Sequence, residues 1–237
     1  MTLENRVILI SGATGGLGRV VSKTMAGQGC KLVLVGSTID KLESLAHSLG
    51  LNQDKWLAVA VDLKEPRSAQ IVFENAISRF GKIDVFLHFV GGWIGGKSVS
   101  HVSVEDIASM LDQHFWTTFY LARAVYPHMV NNGWGRIMAV SSPSVVEKPA
   151  KGLPYTVGKS ALEALLMTLA EELKGSGVTS NVIRVHAIDS RHERDVPGST
   201  KAQTWTTPEE ISEAILYLCS DYGGIVSGEQ INLYGSA

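Results

Sequence analysis

The sequence has few cysteines, few prolines, almost no net charge and no long hydrophobic run. Its two cysteines, Cys30 and Cys219, stand far apart and form no CxxC pair. That spacing argues for small buried apolar residues, not for a disulfide framework or a metal knuckle. The seven histidines (His47, His88, His101, His114, His128, His186 and His192) show neither HxxH nor HExxH spacing, so no metal site is expected. A formal net charge of -2 removes the electrostatic case for nucleic acid or an anionic membrane surface as partner. No apolar run approaches the ~20 residues of a membrane span. The N-terminus lacks a basic region, and its first apolar run soon ends in glycines, so it reads as a strand and not as a signal peptide. Linkers, repeats and low-complexity tracts are also missing. These absences describe a soluble, cytoplasmic globular protein. At 237 residues and 45% hydrophobic content, the chain can build one large domain spanning residues 1–237.

What is present is a regular alternation. Short β-branched or apolar runs occur at Val7–Ile10, Lys31–Val35, Trp56–Val61, Ile83–Val90, Trp134–Val140, Thr179–Ile183 and Gln230–Leu233. Helix-period segments separate them: Arg19–Ala26, Asp40–Leu49, Ala69–Phe80, a long helix capped by Ser103 with Pro127 near its end, a leucine-lined helix beyond Lys159, and Pro208–Leu218. Ser103 with Asp106 three residues on resembles a capping box. The alternation predicts an α/β fold, a single-domain doubly wound parallel sheet (Rossmann-like) with helices on both faces. Such sheets bind ligands beyond the strand C-termini. The aperiodic stretch 190–206, rich in charge, reads as a lid loop over that edge.

The chemistry-bearing residues fall on that edge. Gly12, Thr14, Gly15, Gly16, Leu17 and Gly18 follow the first strand and open a helix, the context in which backbone N–H groups cradle a pyrophosphate. The second strand ends in Gly36, Ser37 and Thr38, where an acid would hold the ribose of NAD. No carboxylate stands there to repel a 2′-phosphate, Lys41 is close, and Asp40 reads as a first-turn helix acid, so NADP(H) is favoured over NAD(H). Asp62, after the third strand, is placed to reach an adenine ring. Tyr155 and Lys159 lie at i and i+4, one face of a helix, where a cation would lower the pKa of a phenol. Ser142, after the fifth strand, can return to the same point in space.

With the glycine loop, Asp62, Ser142, Tyr155 and Lys159 in this order, the chain resembles the short-chain dehydrogenase/reductase family over nearly its whole length. The resemblance implies an NAD(P)(H)-dependent oxidoreductase of a small-molecule carbonyl or alcohol. Tyr155 would be the acid/base, Ser142 the partner of the carbonyl oxygen, and Lys159 the group that holds the nicotinamide ribose. It further implies cofactor contacts at Leu63, Val90, Gly91 and Ile188, and a homodimer or homotetramer built on helices around 115–125 and 162–173. Three departures stand out. His88-Phe89-Val90-Gly91 replaces NNAG, His114 occupies the position of the usual tetrad asparagine and is a candidate for its relay, and Val185-His186 replaces proline-glycine. Gly91–Gly96, with its embedded Trp93, and Trp205–Pro208 are similar to segments of the dihydropteridine reductase branch, which makes Trp93 and Trp205 candidate substrate contacts around a planar ring. That branch is expected to carry an acid after the second strand and to lack the Ser142 hydroxyl, unlike this chain. The alternatives are therefore a reductase of a quinonoid pterin-like heterocycle and a low-turnover cofactor-sensing protein on the same fold.

Overall fold

The computed structural model describes residues 3–196 and 202–234. Seven strands, all parallel, form one sheet: β1 (Val7–Ser11), β2 (Lys31–Gly36), β3 (Trp56–Ala60), β4 (Val85–His88), β5 (Gly135–Ser141), β6 (Val178–Arg184) and β7 (Gln230–Asn232), in spatial order β3-β2-β1-β4-β5-β6-β7. The helices are α1 (Gly16–Gly27), α2 (Ile39–Ser48), α3 (Pro66–Phe80), α4 (Val104–Leu111), α5 (Thr117–Asn131), α6 (Ser144–Glu147), α7 (Leu153–Glu172) and α8 (Pro208–Cys219). The order reverses between β1 and β4, so the chain leaves the sheet in opposite directions on either side of that pair. A crevice opens above their C-terminal ends, as it does in sheets of this topology.

Period-2 alternation divides the core. Val7, Leu9, Val33, Val35 and Phe86 face α3, α5 and α7 with Val72, Leu121, Val125, Leu162 and Leu166. Ile8, Ile10, Leu32, Leu34 and Leu87 face the other way, onto Val21, Met25, Leu42, Ile211 and Ile215 of α1, α2 and α8. Every residue of β1 and β6 is buried, as expected of central strands covered on both faces.

Two features differ from the sequence expectation. The long helix is interrupted: α4 passes into a π-helical turn over Asp112–Trp116 before α5 begins. Pro127 lies inside α5, near its end as expected. The π turn holds His114 and lies where α7 makes its closest approach. A Cβ on Gly158 of α7 would lie 2.7 Å from the Met110 carbonyl oxygen and 2.9 Å from His114 Cδ2. The second difference is β4, which stops at His88, where Phe89 crosses the loop after β1: a Cβ on Gly12 would fall 2.8 Å from the Phe89 carbonyl carbon. The short α6 had no signal in the periodicity. The Ser103–Asp106 capping box forms with both of its hydrogen bonds.

The Gly158 contact has a measurable consequence. Gly158→Ala forces a methyl against backbone and should cost about 1–3 kcal/mol, lowering the melting temperature by several degrees. Gly27→Ala, with open space around it at the end of α1, should leave melting unchanged or raise it slightly. Equal melting of Gly158→Ala and the parent protein would contradict the close approach.

Candidate active site

Three cavities follow one another along the C-terminal edge of the sheet. The first, about 380 Å³, is lined by Gly15, Gly16, Leu17 and Gly18 on one side, by Val90, Gly91, His114, Tyr155 and Lys159 on the other, and by Val185–Ile188 at its end. The second, about 300 Å³, continues from Gly12 and Gly15 to Thr14, Gly36, Ser37, Asp62, Leu63 and Lys64. The third, about 510 Å³, is walled by Ser142, Ser144, Glu147, Lys151, Tyr155, His186 and Trp93.

The glycine loop is built for close approach. Gly12 has φ +73°, in the region that favours glycine. A Cβ on Gly18 would sit 2.2 Å from the Gly12 carbonyl oxygen, so only glycine lets α1 start this tightly against the loop. No side chain caps α1 and no acid occupies its first turn. The leading N–H groups and positive dipole end therefore face the cleft, which fits a pyrophosphate. Ser190 Oγ lies 2.6 Å from the place where a Gly16 Cβ would be, so the segment after β6 reaches back over the loop.

In the second cavity Ser37 takes the expected place, but Thr38 does not line it. Thr38 is the exposed residue that precedes α2. Asp62 Oδ1 accepts from the Lys64 backbone N–H at 3.0 Å. Asp40 is exposed in the first turn of α2 and is not a lining residue. Lys64 is a cation that sequence reasoning missed; its adjacency to Asp62 was the available signal.

Tyr155 and Lys159 project from α7. Lys159 is buried, and Nζ donates to the Val140 carbonyl at 2.8 Å. Burial pulls its pKa down to about 8, opposed by the negative charge of Glu163. The expectation that Lys159 lowers the Tyr155 pKa is corrected. Burial raises the phenol above its ordinary value, and a hydrogen bond with Ser142 offsets this only in part. Lys159 Nζ stands 5.8 Å from the ring centroid, and its hydrogen bond goes to the strand. Desolvation therefore outweighs the distant cation. Ser142 is buried, and its Oγ also accepts from Ser144 N at 3.2 Å.

The two histidines that replace asparagines behave differently. His88 is fully satisfied: Nδ1 is 2.8 Å from Ser11 Oγ and Nε2 is 3.2 Å from Thr117 Oγ1. The Thr117 hydroxyl donates to the Gln113 carbonyl, so it accepts from His88 Nε2–H. Burial and the nearby Lys159 hold His88 neutral, with a pKa of about 3. His114 packs edge-on against Tyr155, with ring centroids 5.5 Å apart at 81°. Its Nε2–H donates to the Gly92 carbonyl at 3.0 Å, which leaves Nδ1 as a lone-pair acceptor. That atom is buried and has no hydrogen-bond partner among the described residues. Burial, then Lys159, lowers the His114 pKa to about 3. An unpaired buried acceptor is costly, and His114 lines the first cavity.

Of the two tryptophans, only Trp93 reaches the third cavity, and it is 66% exposed there. Trp205 lines none of the three cavities. It is half-buried, and its carbonyl accepts from Arg194 Nη1 at 3.0 Å. The structure therefore does not bring the pair together around one ring. The lid stretch 190–206 lies partly outside the described residues. Its base is tied by the Ile188–Thr206 bridge, and its charges also pair with α8, Arg194 contacting Glu210 at 2.7 Å and His192 contacting Glu209 at 3.2 Å. His186 lines both the first and third cavities and packs on Tyr234, with centroids 4.5 Å apart. Its place in the Val185-His186 departure was the only signal for it. Among the described residues, no cluster of three or more metal-ligating side chains occurs, and no helix is long and apolar enough to cross a membrane.

Comparison with known proteins agrees with the fold. A family model described as short chain dehydrogenase matches residues 6–199. A 1,6-dihydroxycyclohexa-2,4-diene-1-carboxylate dehydrogenase of Pseudomonas putida is 27% identical over 252 residues, covering 98% of this chain and 92% of that one. The crystal structure of L-sorbose reductase from Gluconobacter frateurii, complexed with NADPH and L-sorbose, superposes with a TM-score of 0.89 at 24% identity, covering 100% of this chain and 97% of that one. A 3-ketoacyl-(acyl-carrier-protein) reductase from Brucella melitensis, complexed with NADH, gives 0.87 at 23% identity, covering 99% of both chains. At these identities the two structures speak for the fold. The family model spans most of the chain, and the chain belongs to the short-chain dehydrogenase family of oxidoreductases.

Proposed function

We propose that the protein reduces a small-molecule carbonyl, or oxidises the matching alcohol, with a nicotinamide cofactor held in the first and second cavities. The observation that carries this reading is the position of Tyr155, which lines both the first cavity and the third. A substrate in the third cavity and a cofactor in the first would meet at its phenol.

The cofactor, when bound, supplies the hydride. Tyr155 gives a proton to the carbonyl oxygen, and Ser142 hydrogen-bonds that oxygen. The raised Tyr155 pKa keeps the phenol protonated at neutral pH, the state a proton donor needs. Lys159 holds the cofactor ribose and places a positive charge behind the phenol as the phenolate develops. His114 Nδ1 supplies the acceptor that the missing asparagine would otherwise contribute to a relay at Lys159. NADP(H) is the preferred cofactor, because Ser37 and Lys64 line the ribose end and Asp62 is the only carboxylate among the residues lining that cavity. A second reading, a planar conjugated substrate such as a quinonoid pterin, draws on the exposed Trp93 at the cavity mouth. The aromatic ladder Phe115, Trp116, Phe119 and Tyr120, where Trp116 is 39% exposed, supports packing of this face against a second copy of the chain.

Four outcomes are expected. In a carbonyl panel with NADPH or NADH, Tyr155→Phe should lose at least about a hundredfold in kcat/KM. Unchanged activity would remove Tyr155 from the role of acid, and cofactor binding with no turnover across the panel would favour the cofactor-sensing reading. His114→Ala should lower kcat about tenfold or more with little change in cofactor Kd, and His114→Asn should restore part of it; an unaffected kcat would make His114 a packing residue. Titration should show NADPH binding more tightly than NADH, with Lys64→Ala narrowing the gap; tighter NADH binding would overturn the assignment. The reductive rate should also fall as pH rises through about 8, where Lys159 loses its charge.

A further inference from the structure

Beneath the site, α7 carries a buried charge that the mechanism above leaves unused. Tyr155, Lys159 and Glu163 stand at successive i, i+4 positions, so they form one column along the helix. Glu163 is buried at the bottom of this column and meets Arg184, the last residue of β6. The contact is bidentate: Arg184 Nε donates to Glu163 Oε1 at 2.9 Å and Nη2 to Oε2 at 2.5 Å. Arg184 pairs in register with Ser141 of β5 and Asn232 of β7, so the pair lies directly behind the strand ends that carry Val140 and Ser142.

We infer that Glu163, one turn along α7 and fixed by Arg184, is a positioning residue whose buried negative charge favours the Lys159 ammonium at the active site. The inference rests on the role proposed for Lys159 above. Leu162, Leu166, Leu169 and Leu173 already anchor α7 in the core. Apolar side chains of similar volume would add to that anchoring without the desolvation that two buried ions incur. What the ion pair adds is charge.

The surroundings of Lys159 support this. From α7 it faces Tyr155 and Glu163. From β5 it meets the Val140 carbonyl and no ionisable side chain. From the π turn it faces His114, whose Nδ1 and the Lys159 Nζ both approach the space beside Gly91. From β4 it faces His88. Both histidines are neutral at physiological pH, and Arg184 is bonded to Glu163. Among the described residues, Glu163 is thus the one anionic group acting on an ammonium that burial works to discharge. Removing that charge favours the neutral amine, so Lys159 should titrate at lower pH.

The test uses the full-length protein with ¹³C-labelled lysine, the Lys159 side-chain resonance being assigned by its loss in Lys159→Arg. In Glu163→Gln the Lys159 midpoint should fall by about one pH unit, and in the double variant Glu163→Leu/Arg184→Met, which removes the cation together with the anion while keeping volume, it should fall by a smaller amount. Glu163→Asp should retain most of the parent value. The alkaline limb of carbonyl reduction should move down by the same amount. An unchanged Lys159 midpoint in the folded double variant overturns the inference. Failure of the double variant to fold also overturns it, because the pair would then be an anchor before it is a charge. A midpoint that falls while the alkaline limb stays in place supports the ion pair's effect on Lys159 and instead contradicts the catalytic role assigned to Lys159.

Discussion

The site is organised around an ammonium group in a place that disfavours it. Lys159 lies on the inner face of α7, buried between the end of β5 and the π turn, with one hydrogen bond to the Val140 carbonyl. Burial draws its pKa down to about 8, so a small change in its surroundings decides whether it carries charge at neutral pH. Its neighbours suit that poise. Tyr155 lies one turn before it, Glu163 one turn after, and the two histidines across the cleft are neutral. A charged imidazole at either position would repel the ammonium; neutral ones leave the column on α7 to control it.

The fold makes this placement follow from backbone geometry. Gly158 allows α7 to close on Met110 and His114 without a Cβ between them. The π turn rotates His114 into the cleft, where its Nε2–H is fixed by Gly92 and its Nδ1 remains open. π turns recur at functional positions because the extra residue re-aims a side chain that a regular helix would direct elsewhere. Gly12 and Gly18 do the equivalent work on the opposite wall, bringing α1 and its N–H groups against the crevice above the β1–β4 switch. The described cavities therefore run from the glycine loop to the mouth at Trp93, with Tyr155 and His186 lining both the first and the third.

Much of this was legible in the sequence, for physical reasons. Parallel strands buried on both faces appear as short continuous apolar runs, so all seven were found with boundaries off by a residue or two. The YxxxK spacing and the glycine loop follow from helix and turn geometry and needed no tertiary information. What was missed depends on contacts between distant segments. The pKa direction of Tyr155 reverses because burial, invisible in spacing, outweighs a cation whose hydrogen bond goes to β5. Trp205 falls away from Trp93 because Arg194 and the Ile188–Thr206 bridge fix its segment elsewhere. The π turn has no periodic signature, since DQHFW reads as helix until α7 packs against it. Lys64 and His186 acquire meaning only when strand ends far apart in sequence share a cavity.

The central claim is that Tyr155 stands where a cofactor in the first cavity and a substrate in the third would meet. A crystal structure of the protein with bound NADPH tests it most directly. The account predicts the pyrophosphate against Gly12–Gly18, the ribose beside Lys159, and the reactive carbon of the nicotinamide facing the third cavity within reach of Tyr155. A nicotinamide turned away from Tyr155, or a cofactor seated outside the first and second cavities, would contradict it.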